Sequence, residues 1–232
     1  MDAATDELRI PAPGLRERSK RAKLERLKRV ARNLFSRRGF EATTTRAIAT
    51  AADIGAGTLF LYAASKEDLL VLIFREEVGA AVDNAVATMP PGTLLAQLMH
   101  LFGAMIEHHA ENPALARIFV KELPFAPDAR HGVAGFMENL YARMAALIEA
   151  AKARGELRGD IASRQLAENL FGLFYQQLQR WLGGSRTRSW DCRRRVRAAL
   201  ELQLDGLRAS DGSAAIEPRR APRSPRAAHR HP

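Results

Sequence analysis

The sequence predicts an all-α fold, a three-helix N-terminal unit followed by a larger helical body, on three observations. Apolar residues recur at spacings of three and four along most of the chain, the mark of helices with one buried face. No stretch alternates apolar and polar residues long enough to make a half-buried strand. Hydrophobic residues are 47% of the chain, aromatics only 6%, and alanine is abundant, which favours helix. A length of 232 residues is enough to bury a sizeable core in one large unit or two small ones.

Residues 1–15 contain Pro11, Pro13 and Gly14 and read as a flexible arm. Over residues 17–38, Leu24, Leu27, Val30, Ala31, Leu34 and Phe35 mark one helix face, and Arg18, Lys20, Arg21, Arg29 and Arg32 the other. Gly39 stands where a left-handed cap belongs. Thr43, Thr44 and Thr45 offer N-caps for a short helix over 46–52, with Ile48, Ala49 and Ala52 turned inward. Asp53 and Gly55 tolerate the backbone angles of a turn, and 56–63 makes a second short helix. Ser65, Lys66, Glu67 and Asp68 form a capping-box pattern ahead of the apolar run 69–74.

The body reads as helix after helix. Pro90, Pro91 and Gly92 break one, and Thr93 caps the next, which runs to about Asn112. Pro113 opens a helix that ends near Pro124. Residues 127–153 form a long amphipathic segment with Phe136, Leu140, Met144 and Leu147 on one side. Gly155 and Gly159 flank a polar loop. Helices over 163–182 and 189–207 follow, separated by Gly183 and Gly184. Residues 209–232 are rich in Pro, Arg, Ala and Ser and are expected to be a disordered basic tail.

The net charge of +10 is unevenly placed. Residues 16–46 carry twelve Lys/Arg against three acids, and residues 186–232 twelve Arg against five. Residues 47–185 are mildly acidic, with eleven bases against fifteen acids. A basic front end on an acidic body is the electrostatic footprint of a nucleic-acid binder, although a solvated basic helix has the same composition.

Several classes are disfavoured. The single cysteine, Cys192, excludes an internal disulfide framework and a Cys-based zinc finger, and suits a reducing compartment. The run 69–74 is far short of the ~18 residues of a membrane span. Asp2, Asp6 and Glu7, with no apolar stretch beside them, argue against a signal peptide, so a cytoplasmic protein without membrane association is expected. His100, His108, His109 and His131 lack zinc-site spacing and are expected on the surface. There is no Gly-x-Gly-x-x-Gly, P-loop, His-Glu-x-x-His or Gly-x-Ser-x-Gly. No metal, cofactor or catalytic residue is therefore expected.

Two short helices joined by a tight turn are a helix-turn-helix. The first braces the second through small apolar residues. The second is slim at its N-terminal end, at Gly55, Ala56, Gly57 and Thr58, as entry into a DNA major groove requires. Polar residues at the borders, Thr44, Thr45, Tyr62 and Lys66, suit phosphate contacts, and each has a plain structural alternative as cap, packing or surface residue.

The strings 40–49, 51–62 and 65–70, from Phe40 through Thr44 and Ile48, then Gly55 through Tyr62, then Ser65 through Leu70, resemble the N-terminal domain of TetR-family transcriptional regulators. The resemblance covers about residues 20–75, and 155–182 is loosely similar to the eighth helix of such proteins and its preceding loop. It implies a helix-turn-helix DNA-binding domain over 16–64 and a ligand-binding and dimerisation domain over 65–208. The implied DNA-binding residues are Arg21, Thr44, Thr45, Arg46, Gly55, Ala56, Gly57, Thr58, Leu61, Tyr62 and Lys66. Arg16, Arg18 and Lys20 join Arg21 as arm residues within reach of phosphates or a minor groove. The chain departs from the family pattern at Asp53, Gly55, Ala56, Leu61 and Ala63. Thr58 and Arg46 remain as polar candidates near the groove, with Leu61 against a thymine methyl.

The resemblance also implies a homodimer through the last two helices, where Leu166, Leu170, Leu173, Leu178, Val196, Leu200 and Leu204 are candidates for the seam or for the subunit's own core. Candidate ligand-lining residues are Phe102, Met105, Phe119, Phe136, Tyr141, Phe174 and Tyr175, by position, with ordinary core packing the alternative for each. The expected function is a ligand-responsive repressor that binds a palindromic double-stranded operator as a homodimer and is released by a small apolar or amphipathic effector. Two rivals stand beside it: a sequence-indifferent, charge-driven DNA binder, and a small-molecule-binding protein or enzyme with a vestigial helix-turn-helix.

Overall fold

The computed structural model of the protein describes residues 14–126, 132–184 and 188–208. It begins with α1 (Leu15–Arg38), which lays Leu27, Ala31 and Phe35 one turn apart onto the core. Two short helices follow, α2 (Thr45–Ala51) and α3 (Ala56–Tyr62). α4 (Lys66–Ala87) then leaves the N-terminal unit and enters the body. All six residues of the run 69–74 are buried, which a one-sided helix cannot achieve. α4 packs against α1 as well as α5 (Leu94–Glu111) and α6 (Pro113–Glu122), so it is covered from several directions.

A 3₁₀ turn (Leu123–Phe125) closes α6. The body is completed by α7 (Val133–Ala153), α8 (Ser163–Gly183) and α9 (Ser189–Asp205). α8 lies against α7 and α9, and α9 against α5. The Phe102 and Phe174 rings stack between α5 and α8 at 4.4 Å and 4°. Among the described residues the fold is all-α, with one isolated antiparallel bridge between Leu157 and Arg208. One continuous apolar cluster joins the N-terminal unit to the body.

The caps explain the boundaries. Ser65 accepts from Asp68 N at 3.0 Å, and the Asp68 carboxylate accepts from Ala64 N at 2.7 Å, one residue ahead of the cap. Thr93 accepts from Ala96 N at 3.3 Å, and Asn112 from Leu115 N at 3.2 Å, with Pro113 at the first helical position.

Several expectations are corrected. α1 begins at Leu15, inside the stretch read as arm, because Arg18 N bonds Gly14 O. Gly39 has φ 81° and ψ 156°, which only glycine adopts easily, but it is not a left-handed helical cap. The helix expected over 127–153 is described from Val133, with 127–131 outside the described residues, and α9 ends at Asp205, two residues short of 207. Six of the seven seam candidates, all but Leu173, are buried within the single chain, so they belong to its own core. His109 is buried and His108 half-buried, contrary to a surface placement. The arm residues 1–13, His131 and the tail 209–232 lie outside the described residues.

Candidate nucleic-acid interface and effector core

The helix-turn-helix is held by local chemistry. Thr44 caps α2, its Oγ1 accepting from Ala47 N at 3.1 Å. Thr43 is buried and donates to Gly39 O at 2.8 Å, closing the end of α1 onto the start of α2. The turn falls on Asp53, at φ 52°, and not on Gly55, whose φ of −65° suits any residue. Ile54 N reaches Ala49 O at 3.0 Å, and Arg26 Nη2 donates to Asp53 O at 3.1 Å. α3 is anchored by Leu59, with Ile48, Ala49, Ala52 and Ala63 in the same core.

The outer side of α3 is bare. Gly55, Ala56 and Gly57 are exposed, and a Cβ at Gly57 would meet nothing within 4 Å. Thr58 is half-buried, while Leu61 is 81% and Phe60 48% exposed. Two large apolar side chains facing water on a seven-residue helix favour contact with another surface. Arg46 at the start of α2 is exposed, and Thr45 beside it is half-buried. Arg16, Arg18, Lys20, Arg21 and Lys23 are exposed along the first turns of α1, and among the described residues none of them is ion-paired.

Two expected phosphate contacts are engaged within the unit. Lys66 Nζ donates to Phe40 O at 3.0 Å and lies 4.4 Å from the centroid of the Phe40 ring. The Tyr62 hydroxyl donates to Lys20 O at 3.3 Å. Arg26 and Phe60 were not singled out by sequence reasoning. Arg26 looks like one more base in a basic helix, and Phe60 like one more core aromatic. The partner of Arg26 is a backbone carbonyl, so no side-chain pattern marks it in the sequence.

The candidate ligand residues do not gather around one cavity. Phe102, Met105, Phe119 and Phe174 are buried in the core, and Phe119 lies 5.4 Å from Phe74. Tyr141 meets Phe171 edge-on at 5.6 Å and carries Arg164 over its ring at 4.9 Å. The Tyr175 hydroxyl donates to Val120 O at 2.6 Å, and burial pushes it up to about 12. Phe136 alone of the seven lines a described cleft, about 300 Å³ between α4 and α7.

Polar contacts link the N-terminal unit to the body. Lys28 bonds Glu25 and Glu76 at 2.5 Å, and Arg32 bonds Glu77 at 2.9 Å. Burial alone would lower the Lys28 ammonium, but its bonds to Glu25 and Glu76 outweigh that and raise it. His108 Nε2 lies 3.5 Å from Glu77 on the body side, and burial holds its imidazole below the ordinary range. His109 is held down to about 4 by burial, so it is neutral, and its Nδ1–H donates to Met105 O at 2.5 Å. Among the described residues no group of three or more His, Cys, Asp or Glu is placed to hold a metal ion, and no helix is long and apolar enough to cross a membrane.

Residues 28–73 match the family model described as bacterial regulatory proteins, tetR family. The chain is 29% identical over 193 residues to the HTH-type transcriptional repressor KstR of Mycolicibacterium smegmatis, covering 79% of this chain and 89% of that protein. It is 31% identical over 147 residues to the HTH-type transcriptional regulator EthR of the same organism, covering 60% and 65%. Among solved structures, Thermus thermophilus FadR, a TetR-family transcriptional repressor in complex with lauroyl-CoA, superposes with a TM-score of 0.65 at 27% identity, covering 83% of this chain and all of that one. FadR from Bacillus halodurans shares the fold, with a TM-score of 0.59 at 22% identity over 79% of this chain and 99% of that one.

Proposed function

Because this chain belongs to the TetR family of bacterial regulatory proteins, we propose that it is a repressor that binds a palindromic operator as a homodimer and leaves it when an acyl-CoA thioester binds the body. The observation that carries the DNA side is the bare outer face of α3, braced through Leu59 and flanked by the exposed bases in the first turns of α1. Gly55, Ala56 and Gly57 let the helix backbone come close to base edges, and Leu61 and Phe60 give it apolar contact with thymine methyls. Arg46, Arg21 and the neighbouring bases of α1 hold phosphates, with Thr44 and Thr45 at the border. Lys66 and Tyr62 act one step back, fixing the frame.

Residues 16–64 form the DNA-binding unit and 65–208 the effector and dimer unit. With most leucines of α8 and α9 in the subunit core, the dimer face falls to their exposed sides. These hold Gly172 and Gln176 on α8 and Ala198 and Leu202 on α9, with Leu202 80% exposed. Small residues there let partner helices approach closely, and Leu202 supplies apolar area.

The effector class is supported by the resemblance to the lauroyl-CoA-bound repressor and by a body whose core is aromatic and aliphatic. An acyl chain entering that core must part packed rings such as Phe102 and Phe174. α4 runs unbroken from the helix-turn-helix into the body and is pinned to α1 by Lys28–Glu76 and Arg32–Glu77, so a shift in the body reorients α3. A coupling of about 1–3 kcal/mol changes operator affinity roughly 5- to 150-fold, and DNA weakens the effector by the same factor. The test is a gel shift on DNA from upstream of the gene, with lauroyl-CoA, laurate or neither. Release by lauroyl-CoA alone supports the reading. Binding unchanged by either overturns the effector class.

A further inference from the structure

The aromatic core of the body encloses an acceptor with nothing to accept, Nε2 of His109, and we propose that this atom selects an effector whose aliphatic chain carries a hydroxyl. The inference deepens the effector reading above and rests on it: an apolar chain enters the body, and His109 reads the polar group that the chain carries there.

The chemistry of the atom follows from its neighbours. His109 is 1% exposed. A carbonyl oxygen can only accept, so the bond between Nδ1 and Met105 O places the ring proton on Nδ1. Burial keeps the imidazole neutral at physiological pH. Nε2 is left with a bare lone pair, shut off from solvent and without a hydrogen-bond partner. The rings beside it do not supply a donor. Phe119 of α6, at 5.9 Å between centroids, has none, and His108, at 5.7 Å, has its own Nε2 3.5 Å from Glu77. Buried polar atoms are paired in folded proteins with few exceptions, and an unpaired one costs free energy that a bound donor recovers.

Position joins this atom to the effector core. Phe102, Met105 and His109 follow one another on α5 at steps of three and four residues and are all buried, so they share one face of the helix. Phe102 stacks on Phe174 of α8 at 4.4 Å. Met105 stands between Phe102 and His109, and its unbranched thioether can repack around a guest. A chain that parts the two rings comes onto this face, and His109 stands two turns along it, about 10 Å from Phe102. The group that meets Nε2 there must donate. A hydroxyl does, whereas a ketone, an ether or a bare methylene does not.

The test uses the full-length protein and two isomeric probes, octan-1-ol, which donates, and 1-methoxyheptane, which only accepts. Each is titrated by calorimetry at neutral pH. The wild type binds octanol about three- to tenfold more tightly than the ether. His109→Phe loses this preference, and His109→Gln, whose amide oxygen can take the place of Nε2, keeps it. In wild-type protein labelled with ¹⁵N-histidine, the Nε2 resonance of His109 moves with octanol and not with the ether. That signal keeps the test decisive if His109→Phe folds poorly. Equal affinities for the two probes in the wild type, no binding of either, or a preference that survives in His109→Phe overturns the proposal. So does an Nε2 resonance that is already that of a bonded acceptor in the free protein and is unmoved by octanol, which would mean that a buried water fills the place.

Lauroyl-CoA is titrated beside the two probes. A preference for octanol with no lauroyl-CoA binding overturns the acyl-CoA reading and upholds the role of His109. Lauroyl-CoA binding with no preference between the probes upholds that reading and overturns the role of His109.

Discussion

Arg26 on α1 donates from Nη2 to the backbone carbonyl of Asp53 at 3.1 Å, and Asp53 is the one described non-glycine residue at positive φ. The bond ties the long basic helix to the turn that sets the angle between α2 and α3. A left-handed conformation costs a residue with a side chain about 1–2 kcal/mol. Asp53→Gly is expected to raise the unfolding free energy by about 1 kcal/mol, and Asp53→Val to lower it by at least as much, both measured by urea denaturation. Equal stabilities in the two variants would mean that the turn is not strained.

Gly57 faces open space on the outer side of α3. Gly57→Leu removes a flexible residue from a helix, so the thermal midpoint should hold or rise slightly. The bulk stands between the helix and the groove, so operator affinity in a fluorescence anisotropy titration should fall by about a hundredfold. Full affinity in a folded variant would place another surface against DNA.

Lys66 is bound to Phe40 O and to the face of the Phe40 ring. Lys66→Met should lower stability by about 1–2 kcal/mol, since it removes a charge-assisted bond and a cation–π contact. Operator affinity should fall with it, with no change in the salt dependence of binding, because no phosphate contact is lost. A slope reduced by about one ion would return Lys66 to the phosphate-binding set.

Much of this architecture was legible in the chain. The Thr44 and Ser65 caps, the small residues at Ala49 and Ala52, and the alternation of breakers with apolar stripes are local signals, and they placed the helices to within a few residues. Partner choice is not local. Leu166, Leu170, Val196 and Leu200 read equally well as a seam or a core, because periodicity shows that a helix has a buried face but not what covers it. The aromatic residues suffered the same ambiguity: Phe102 and Phe174 meet across α5 and α8, seventy-two positions apart in sequence. Lys66 stands in the expected register, but its carbonyl partner, Phe40 O, lies twenty-six residues away.

His109 was expected at the surface and lies in the core, where burial holds it near 4 against an ordinary value of 6.5. Its folded state therefore binds fewer protons than the unfolded chain between these values. The contribution is complete above pH 6.5 and is lost as pH falls, by up to about 3 kcal/mol near pH 4. His109→Leu should flatten the fall in thermal midpoint from pH 7 to 4.5 relative to the wild type. Parallel curves would show that another group governs acid unfolding.

We propose that the bare face of α3 reads a specific operator as half of a symmetric pair. Selection of bound sequences from a random double-stranded DNA pool, at near-physiological salt, tests it most directly. The expected result is an enriched palindrome whose half-site centres lie one helical turn, about 34–36 Å, apart or a multiple of that. Binding without enrichment would contradict it, and would mean that with Gly55, Ala56 and Leu61 at its face this helix holds DNA by charge alone.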